Sequence, residues 1–159
     1  MPFATYHFPP GFLWGSATAA HQVEGNNTNN NWYAWETAPE GHIVQGQRSG
    51  MACDWWGGRW KEDMDRAAET GQNAHRFSIE WSRIQPAPDR WDERAIDFYL
   101  EMLRGMNARG ITPMVTLHHF SDPLWLVERG GWENDETPAL FAAFTRKVVE
   151  VFKDYVTYW

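Results

Sequence analysis

Several side chains that could bind or transform a polar ligand follow short apolar runs typical of strands. Gln22 comes shortly after the run FLWGSATAA. Its amide carries donor and acceptor groups, which suits two neighbouring hydroxyls of a ligand. His118 and His119 stand at the end of the run ITPMVTL. Because successive side chains of a strand point to opposite faces, these two imidazoles are not expected to share a pocket or a metal ion. We expect no metal site and no cofactor.

Two carboxylates, Glu24 and Glu80, lie near the predicted strand ends. Two carboxyl groups that cleave a bond together, one as acid and one as nucleophile, would have to lie about 5–5.5 Å apart. No supporting motif surrounds either residue, and most charged residues in such loops are structural or solvated. We therefore predict no catalytic residue in this chain.

Three apolar runs predict the strands that would position these groups. They lie near Phe12–Ala17, Asn73–Ser78 and Pro113–Leu117. The first is expected to be short and buried. The third is nearly continuous in its apolar character, which is typical of a strand covered on both faces.

Helical spacing of apolar residues predicts three helices between and after these strands. One covers residues 59–71 and ends at Gly71, and a second covers residues 92–110, with Asp92 as its N-cap. The third begins at Thr137 and Pro138, because proline fits the first helical turn. Its apolar pattern is expected to continue to the last residue, Trp159.

Strand, long loop and helix thus follow one another three times, which indicates βαβ units and a parallel sheet. A doubly wound sheet would be expected to carry a G-x-G-x-x-G pattern after its first strand, and WGSATAAHQVEG has none. A β/α barrel places its chemistry in the loops after the strands, and here those loops are long and rich in His, Gln, Trp and Glu. We predict the α/β class: the first three βα units of a barrel, incomplete in this chain, with residues 1–159 in one domain.

Composition narrows the function classes. The net charge of −7 disfavours nucleic acid and anionic membrane surfaces as partners. With no basic run leading into an apolar stretch, we expect neither a signal peptide nor a membrane span, and a cytoplasmic location. The single cysteine, Cys53, rules out an internal disulfide and is expected to be a buried free thiol. The 11 tryptophans either fill a core or line a surface that stacks on flat apolar faces, such as those of sugar rings.

Three long motifs resemble those of one enzyme family. FLWGSATAAHQVEG is similar to the opening signature of glycoside hydrolase family 1, the β-glucosidase and β-galactosidase family. NAHRFSIEWSRIQP resembles that family's second-strand motif, and MVTLHHFSDPLWL its third. RGGWEN and the helix from Pro138 follow in the expected order. The resemblance covers essentially the whole chain from Phe8 onward and implies a retaining β-glycosidase.

The resemblance also implies roles for individual residues. Gln22 and His119 would hydrogen-bond hydroxyls of the sugar in the cleavage subsite, and Arg76 would orient the nucleophilic carboxylate. Phe120 stands where the family usually has Trp, so the pocket wall should keep a ring while one indole N–H is lost. Trp35 would lie near the mouth of the active site, although NWYAWET departs from the usual pattern.

The family's catalytic glutamates lie in N-E-P and E-N-G motifs, and neither motif occurs in these 159 residues. We therefore expect an N-terminal portion of a β-glucosidase-like enzyme that supplies sugar-binding residues but is inactive by itself. Its partners would be a β-glucoside or related sugar and a complementary C-terminal barrel segment. Two alternatives stay open: a carbohydrate-binding fragment without catalysis, and a partial barrel that associates with itself to bury its open edges.

Overall fold

A computed structural model describes residues 5–49 and 52–159 of the chain. Its centre is a three-stranded sheet of β1 (Gly15–Ala17), β2 (Ala74–Ser78) and β3 (Thr112–Thr116), in that order. Both pairings are parallel, with Gly15 opposite Ala74 and Ala74 opposite Thr112. The predicted parallel α/β arrangement is confirmed.

The helices divide into three long ones that cover the sheet and four short ones in the loops. The long helices are α3 (Trp60–Glu69), α5 (Glu93–Ala108) and α7 (Thr137–Phe152). The short ones, none of which was predicted, are α1 (Ala20–Val23), α2 (Asn31–Glu36), α4 (Trp81–Ile84) and α6 (Leu124–Val127). Three single 3₁₀ turns complete the described elements, at Val44–Gly46, Trp55–Gly57 and Gly131–Glu133.

Local signals explain where the long helices begin and end. The carboxylate of Asp92 accepts hydrogen bonds from the first backbone N–H groups of α5, as expected of an N-cap. Gly71 and Gly110 follow α3 and α5 with positive φ angles of 83° and 70°, conformations that glycine adopts without strain. Pro138 lies in the first turn of α7.

The core lies between the sheet and these helices. Aromatic rings fill much of it: Trp81 stacks on Phe144 of α7, with ring centroids 4.9 Å apart, and Tyr99 of α5 is fully buried. Trp55, Trp60 and Trp125 are buried as well, and Trp56 packs on Phe98 at the margin of the core. These four tryptophans therefore pack in or beside the core.

The prediction of a buried first strand was wrong. The strand spans only Gly15–Ala17, and all three of its residues are exposed. Phe12 and Trp14, expected inside, are 42% and 47% exposed and contact each other and Phe8. In the described residues, β1 pairs only with β2, so its other edge is unpaired.

The inner face of β3 is also open. Pro113 and Val115 are buried, but Met114 between them is 36% exposed, so the strand is covered on one face and not on both as predicted. The apolar face of β3 that carries Met114 is therefore left partly exposed by the described part of the chain.

The end of the chain differs from the prediction as well. The third helix stops at Phe152 instead of continuing to Trp159. After a turn, Tyr158 forms a parallel bridge with Met114, and the N–H of Val115 donates to the Tyr158 carbonyl over 2.9 Å. Val156 is buried. The apolar residues that suggested a continuing helix thus belong to a segment running alongside β3.

Cys53 corrects one further expectation, because its thiol is exposed rather than buried. Its backbone is left-handed, with φ of 59°, in the turn before Trp55–Gly57. Among the described residues, no helix is long and apolar enough to cross a membrane. That part of the chain also contains no group of three His, Cys, Asp or Glu side chains able to hold a metal ion.

Candidate functional site

A cleft of about 520 Å³ lies between the loops that follow β1 and β3. It contains three of the predicted site residues, Gln22, His119 and Phe120, although Gln22 lies far from the other two in sequence. The full lining comprises Ala19, His21, Gln22, Trp32, Ser49, His119 and Phe120. Polar groups and exposed aromatic rings therefore face the same space.

Gln22 is presented by the short helix α1. The N–H of Ala20 at the start of this helix donates to the Ser78 hydroxyl over 2.7 Å, which ties the loop after β1 to the end of β2. The neighbouring His21 is buried and lies 3.6 Å from Glu36, whereas Gln22 is exposed on the cleft side. The fold thus leaves the amide of Gln22 accessible to a ligand.

His119 is half-buried at the other side of the cleft. Partial burial lowers the pKa of its imidazole, and the positive charge of Arg76 and the neighbouring His118 lower it further. A neutral imidazole has one donor and one acceptor nitrogen, so it can exchange hydrogen bonds with a hydroxyl. This environment favours a hydrogen-bonding role over a charged one.

Arg76 lies on β2, beside the cleft but outside its lining. Its guanidinium donates to the carbonyl of Thr18 over 2.7 Å, and it is partly exposed. Its positive charge is close enough to His119 to lower the pKa of that imidazole. One N–H group of the guanidinium is therefore used within the chain, and its other N–H groups can donate to an anionic partner.

The aromatic side of the cleft consists of Trp32 and Phe120. Phe120 is 69% exposed and its ring meets that of His119 edge-on, with centroids 5.2 Å apart. Trp32 lines the cleft, whereas the predicted Trp35 does not; it contacts Trp32 edge-on and stacks on His42. The role predicted for Trp35 stays a prediction, and the structure adds Trp32 as the tryptophan at the cleft.

His118 points away from the cleft, as the alternation along a strand requires. Its Nε2 lies 3.0 Å from the Asp122 carboxylate, and its ring packs edge-on against Trp132 and Phe141. Asp122 also accepts a hydrogen bond from the indole of Trp132 over 2.9 Å. The adjacent histidines are therefore divided between the cleft and the packing behind it.

Glu24 is buried and ion-paired rather than facing the cleft. One carboxylate oxygen lies 2.7 Å from Nε of Arg83, and the other accepts a short hydrogen bond from the Tyr99 hydroxyl. Burial raises the pKa of Glu24, while Arg83 and Tyr99 oppose that rise. The guanidinium of Arg83 also lies over the ring of Trp56, 3.9 Å from its centroid.

Glu80 is equally buried and is hydrogen-bonded by two serines. Ser82 and Ser121 donate to its two oxygens over 2.8 and 2.7 Å. Burial, together with the negative charge of Glu24, raises the pKa of Glu80 to about 7. The two carboxylates thus belong to an internal network that joins the three loops after the strands, and neither lines the cleft.

Sequence reasoning missed Trp32, Ser49 and the helix that carries Trp32. The Asn-rich run before α2 reads as a loop, yet Asn30 acts as an N-cap by accepting from the N–H of Tyr33 over 2.8 Å. An Asn placed before an aromatic run was the available signal for this helix start. Ser49 follows a Gly-rich stretch and carried no signal.

Comparison with known proteins agrees with this fold. The sequence model described as "Glycosyl hydrolase family 1" matches residues 4–159. The chain is 39% identical to Beta-glucosidase A of Thermotoga maritima over 158 residues, and 34% identical to Beta-glucosidase 11 of Arabidopsis thaliana over 166. These alignments cover 96% and 100% of this chain but 35% and 31% of the relatives.

Solved structures give the same picture. The family 1 β-glucosidase of Thermotoga maritima superposes with a TM-score of 0.91 over 96% of this chain and 35% of that enzyme. A structure of the same enzyme in complex with castanospermine matches equally well. The chain thus spans about a third of the length of these relatives, and its three parallel strands form part of a β/α barrel. On this evidence, the chain belongs to glycosyl hydrolase family 1.

Proposed function

We propose that this chain supplies part of the sugar-binding site of a retaining β-glycosidase of the β-glucosidase type, as the N-terminal part of one barrel domain over residues 1–159. One observation carries the proposal. Gln22 and His119, from loops far apart in sequence, line one cleft together with the exposed rings of Trp32 and Phe120.

The chemistry of these groups suits a sugar. The Gln22 amide and the neutral imidazole of His119 each offer a donor and an acceptor to hydroxyl groups. Trp32 and Phe120 supply apolar surfaces for the C–H faces of a sugar ring. No cofactor or metal takes part in this proposal, and the cytoplasm remains the compartment that we expect from the sequence.

The catalytic carboxylates are proposed to come from outside these 159 residues. Glu24 and Glu80 are held in the internal network by Arg83, Tyr99 and two serines, so neither is placed to meet a glycosidic bond in the cleft. Arg76, with donors to spare, would pair with a carboxylate contributed by the remainder of the barrel and hold it ionised. We therefore expect no hydrolysis from this chain by itself.

A second candidate is association through the open side of the sheet. The outer edge of β1 is exposed, and Phe8, Phe12 and Trp14 form an exposed aromatic cluster beside it. Unpaired strand edges and exposed apolar patches both favour pairing with another polypeptide. A complementary barrel segment and a second copy of this chain are the two partners in question.

The proposal is tested by measuring hydrolysis of an aryl β-glucoside with and without a polypeptide that carries the N-E-P and E-N-G segments. Turnover is expected only when both are present. In that mixture, Gln22→Ala and His119→Ala should each lower kcat/KM, whereas Gln47→Ala, at an exposed glutamine outside the cleft, should not. Turnover by the chain alone would contradict the proposal.

Castanospermine binding separates the remaining alternatives. Binding by the chain that is weakened by Gln22→Ala, without turnover in either sample, would indicate a carbohydrate-binding role without catalysis. If sedimentation shows a self-associated chain that binds no sugar and hydrolyses nothing in either sample, the association alternative would replace the proposal.

A further inference from the structure

We propose that Asn31 is a positioning residue: it clamps the loop after β3 and holds Phe120 and His119 in place as one wall of the cleft. The role of Asn31 in sugar binding rests on the proposed function. The clamp itself is inferred from hydrogen bonds that do not involve a ligand.

The backbone of Phe120 adopts a conformation that needs an external restraint. Its φ angle is 65°, in the left-handed region, where a bulky side chain is a genuine outlier. The ring is 69% exposed, so burial of the ring does little to stabilise this conformation. Strained residues of this kind persist when their surroundings over-determine them, and they cluster at functional sites.

The restraint comes from the first two residues of α2. The amide nitrogen of Asn31 donates to the Phe120 carbonyl over 3.1 Å, and the indole nitrogen of Trp32 donates to the same carbonyl over 3.1 Å. A carbonyl oxygen has two lone pairs, and here each can meet one donor. The peptide that follows Phe120 is thereby fixed in orientation.

Asn31 also holds the next turn of the same loop. Its side-chain oxygen accepts from the N–H of Asp122 over 2.8 Å, and its own N–H donates to the Asp122 carbonyl over 3.0 Å. A single residue therefore makes three hydrogen bonds to residues 120–122, on both sides of Ser121. Three hydrogen bonds from one residue fix the orientation of two peptide groups in this loop.

The consequence for the cleft follows from the ring contacts. Phe120 meets His119 edge-on, so a loop that moves at residue 120 also moves the imidazole beside it. The indole N–H of Trp32 is used in the same clamp. The face of the Trp32 ring stays available to a ligand, whereas its hydrogen-bond donor does not. Asn31 thus sets the distance between the wall on the loop after β3 and the wall on the loop after β1.

The test uses the full chain labelled with ¹⁵N-tryptophan, in which the Trp32 indole N–H is assigned by its loss in Trp32→Phe. In N31D the side chain keeps its acceptor but lacks the donor to the Phe120 carbonyl. Loss of one such hydrogen bond should speed solvent exchange of the Trp32 indole N–H about fivefold or more. N107D is the matched control, because Asn107 also donates to a carbonyl, that of Tyr155 over 3.2 Å, and should leave the exchange unchanged.

Rescue distinguishes relief of strain from general destabilisation. Glycine adopts positive φ readily, so adding Phe120→Gly to N31D should restore slow exchange. Unchanged exchange in N31D, or fast exchange that persists in the double variant, would overturn the clamp. If N31D does not fold by circular dichroism, Asn31→Ser, which also lacks the amide donor, takes its place in the same measurements.

Castanospermine titrations followed in the same spectra provide the binding readout. N31D should raise the Kd about fivefold, and N107D should not change it. Faster exchange with an unchanged Kd would overturn the positioning role. If castanospermine binds neither to the unsubstituted chain nor to its mixture with the polypeptide that carries the N-E-P and E-N-G segments, the proposed sugar site fails, while exchange and rescue still decide whether Asn31 holds Phe120.

Discussion

The buried carboxyl of Glu80 should make the stability of the chain depend on pH. Its pKa in the folded protein is raised from 4.5 to about 7, chiefly by burial and then by the charge of Glu24. Between these two values the folded form holds a proton that the unfolded form releases. The free energy of unfolding should therefore fall as the pH rises from about 4.5 to about 7, and this contribution should level off above that range.

The size of the effect follows from the shift. A difference between 4.5 and about 7 corresponds to about 3 kcal/mol, since one pKa unit is worth about 1.4 kcal/mol. Glu80→Gln removes the ionisable group but keeps groups that can hydrogen-bond Ser82 and Ser121. Relative to the parent chain, the variant should gain about 3 kcal/mol of stability between pH 4 and pH 8.

Urea unfolding followed by tryptophan fluorescence at several pH values measures this difference. The matched control is Glu69→Gln, at an exposed position on α3, whose difference from the parent should stay nearly constant with pH. If the difference between Glu80→Gln and the parent is equally flat, then Glu80 is ionised throughout and the reasoning from burial is refuted.

Three further predictions concern stability and are checked by the same unfolding measurement. Gly15→Ala should weaken the pairing of β1 with β2 by more than 1 kcal/mol, because its Cβ would lie 2.1 Å from the Ala74 carbonyl oxygen; an unchanged midpoint would contradict this close approach. Arg83→Met should lower the free energy of unfolding by about 3–5 kcal/mol at pH 8, because Glu24 is left buried without its cation. The loss should be smaller at pH 5, where the carboxyl of Glu24 can take up a proton. Equal losses at the two pH values would contradict the ion pair. Phe144→Ala should cost about 3–5 kcal/mol by opening a cavity against Trp81, and a loss under 1 kcal/mol would show that the core collapses around it.

The sequence predicted most of the fold because its signals were local. Asp92, Gly71 and Pro138 mark helix boundaries through hydrogen bonds and φ preferences of a few neighbouring residues, and the structure confirms each. The three parallel strands followed from alternation with those helices. Local signals of this kind do not depend on contacts with distant parts of the chain.

The errors have a common origin in contacts that are distant in sequence. Burial was inferred for Phe12, Trp14 and Met114 from their apolar character, but burial depends on what covers them, and the described residues cover them only in part. At the end of the chain, Tyr155 and Trp159 fitted a helical period, yet the helix ends at Phe152 and Tyr158 pairs with Met114. Periodicity alone could not distinguish these outcomes.

The site was predictable as far as the motifs reached. Gln22 and His119 lie in the cleft, which their motifs implied, although their roles toward a sugar stay predictions. The clamp by Asn31 could not be read from sequence, because its partners are about 90 positions away and an asparagine in a polar run carries no sign of them. The left-handed backbone of Phe120 was equally hidden.

The order of the strands bears on how such a chain is made. Because β1, β2 and β3 are neighbours in the order in which they are synthesised, each βα unit can dock on the preceding one as soon as it leaves the ribosome. No later strand has to be inserted between two of these three. Tyr158 pairs with β3, whereas the outer edge of β1 is unpaired in the described residues. A nascent family member would thus carry an exposed strand edge from its first hundred residues onward, a window in which a chaperone or a wrong partner could bind.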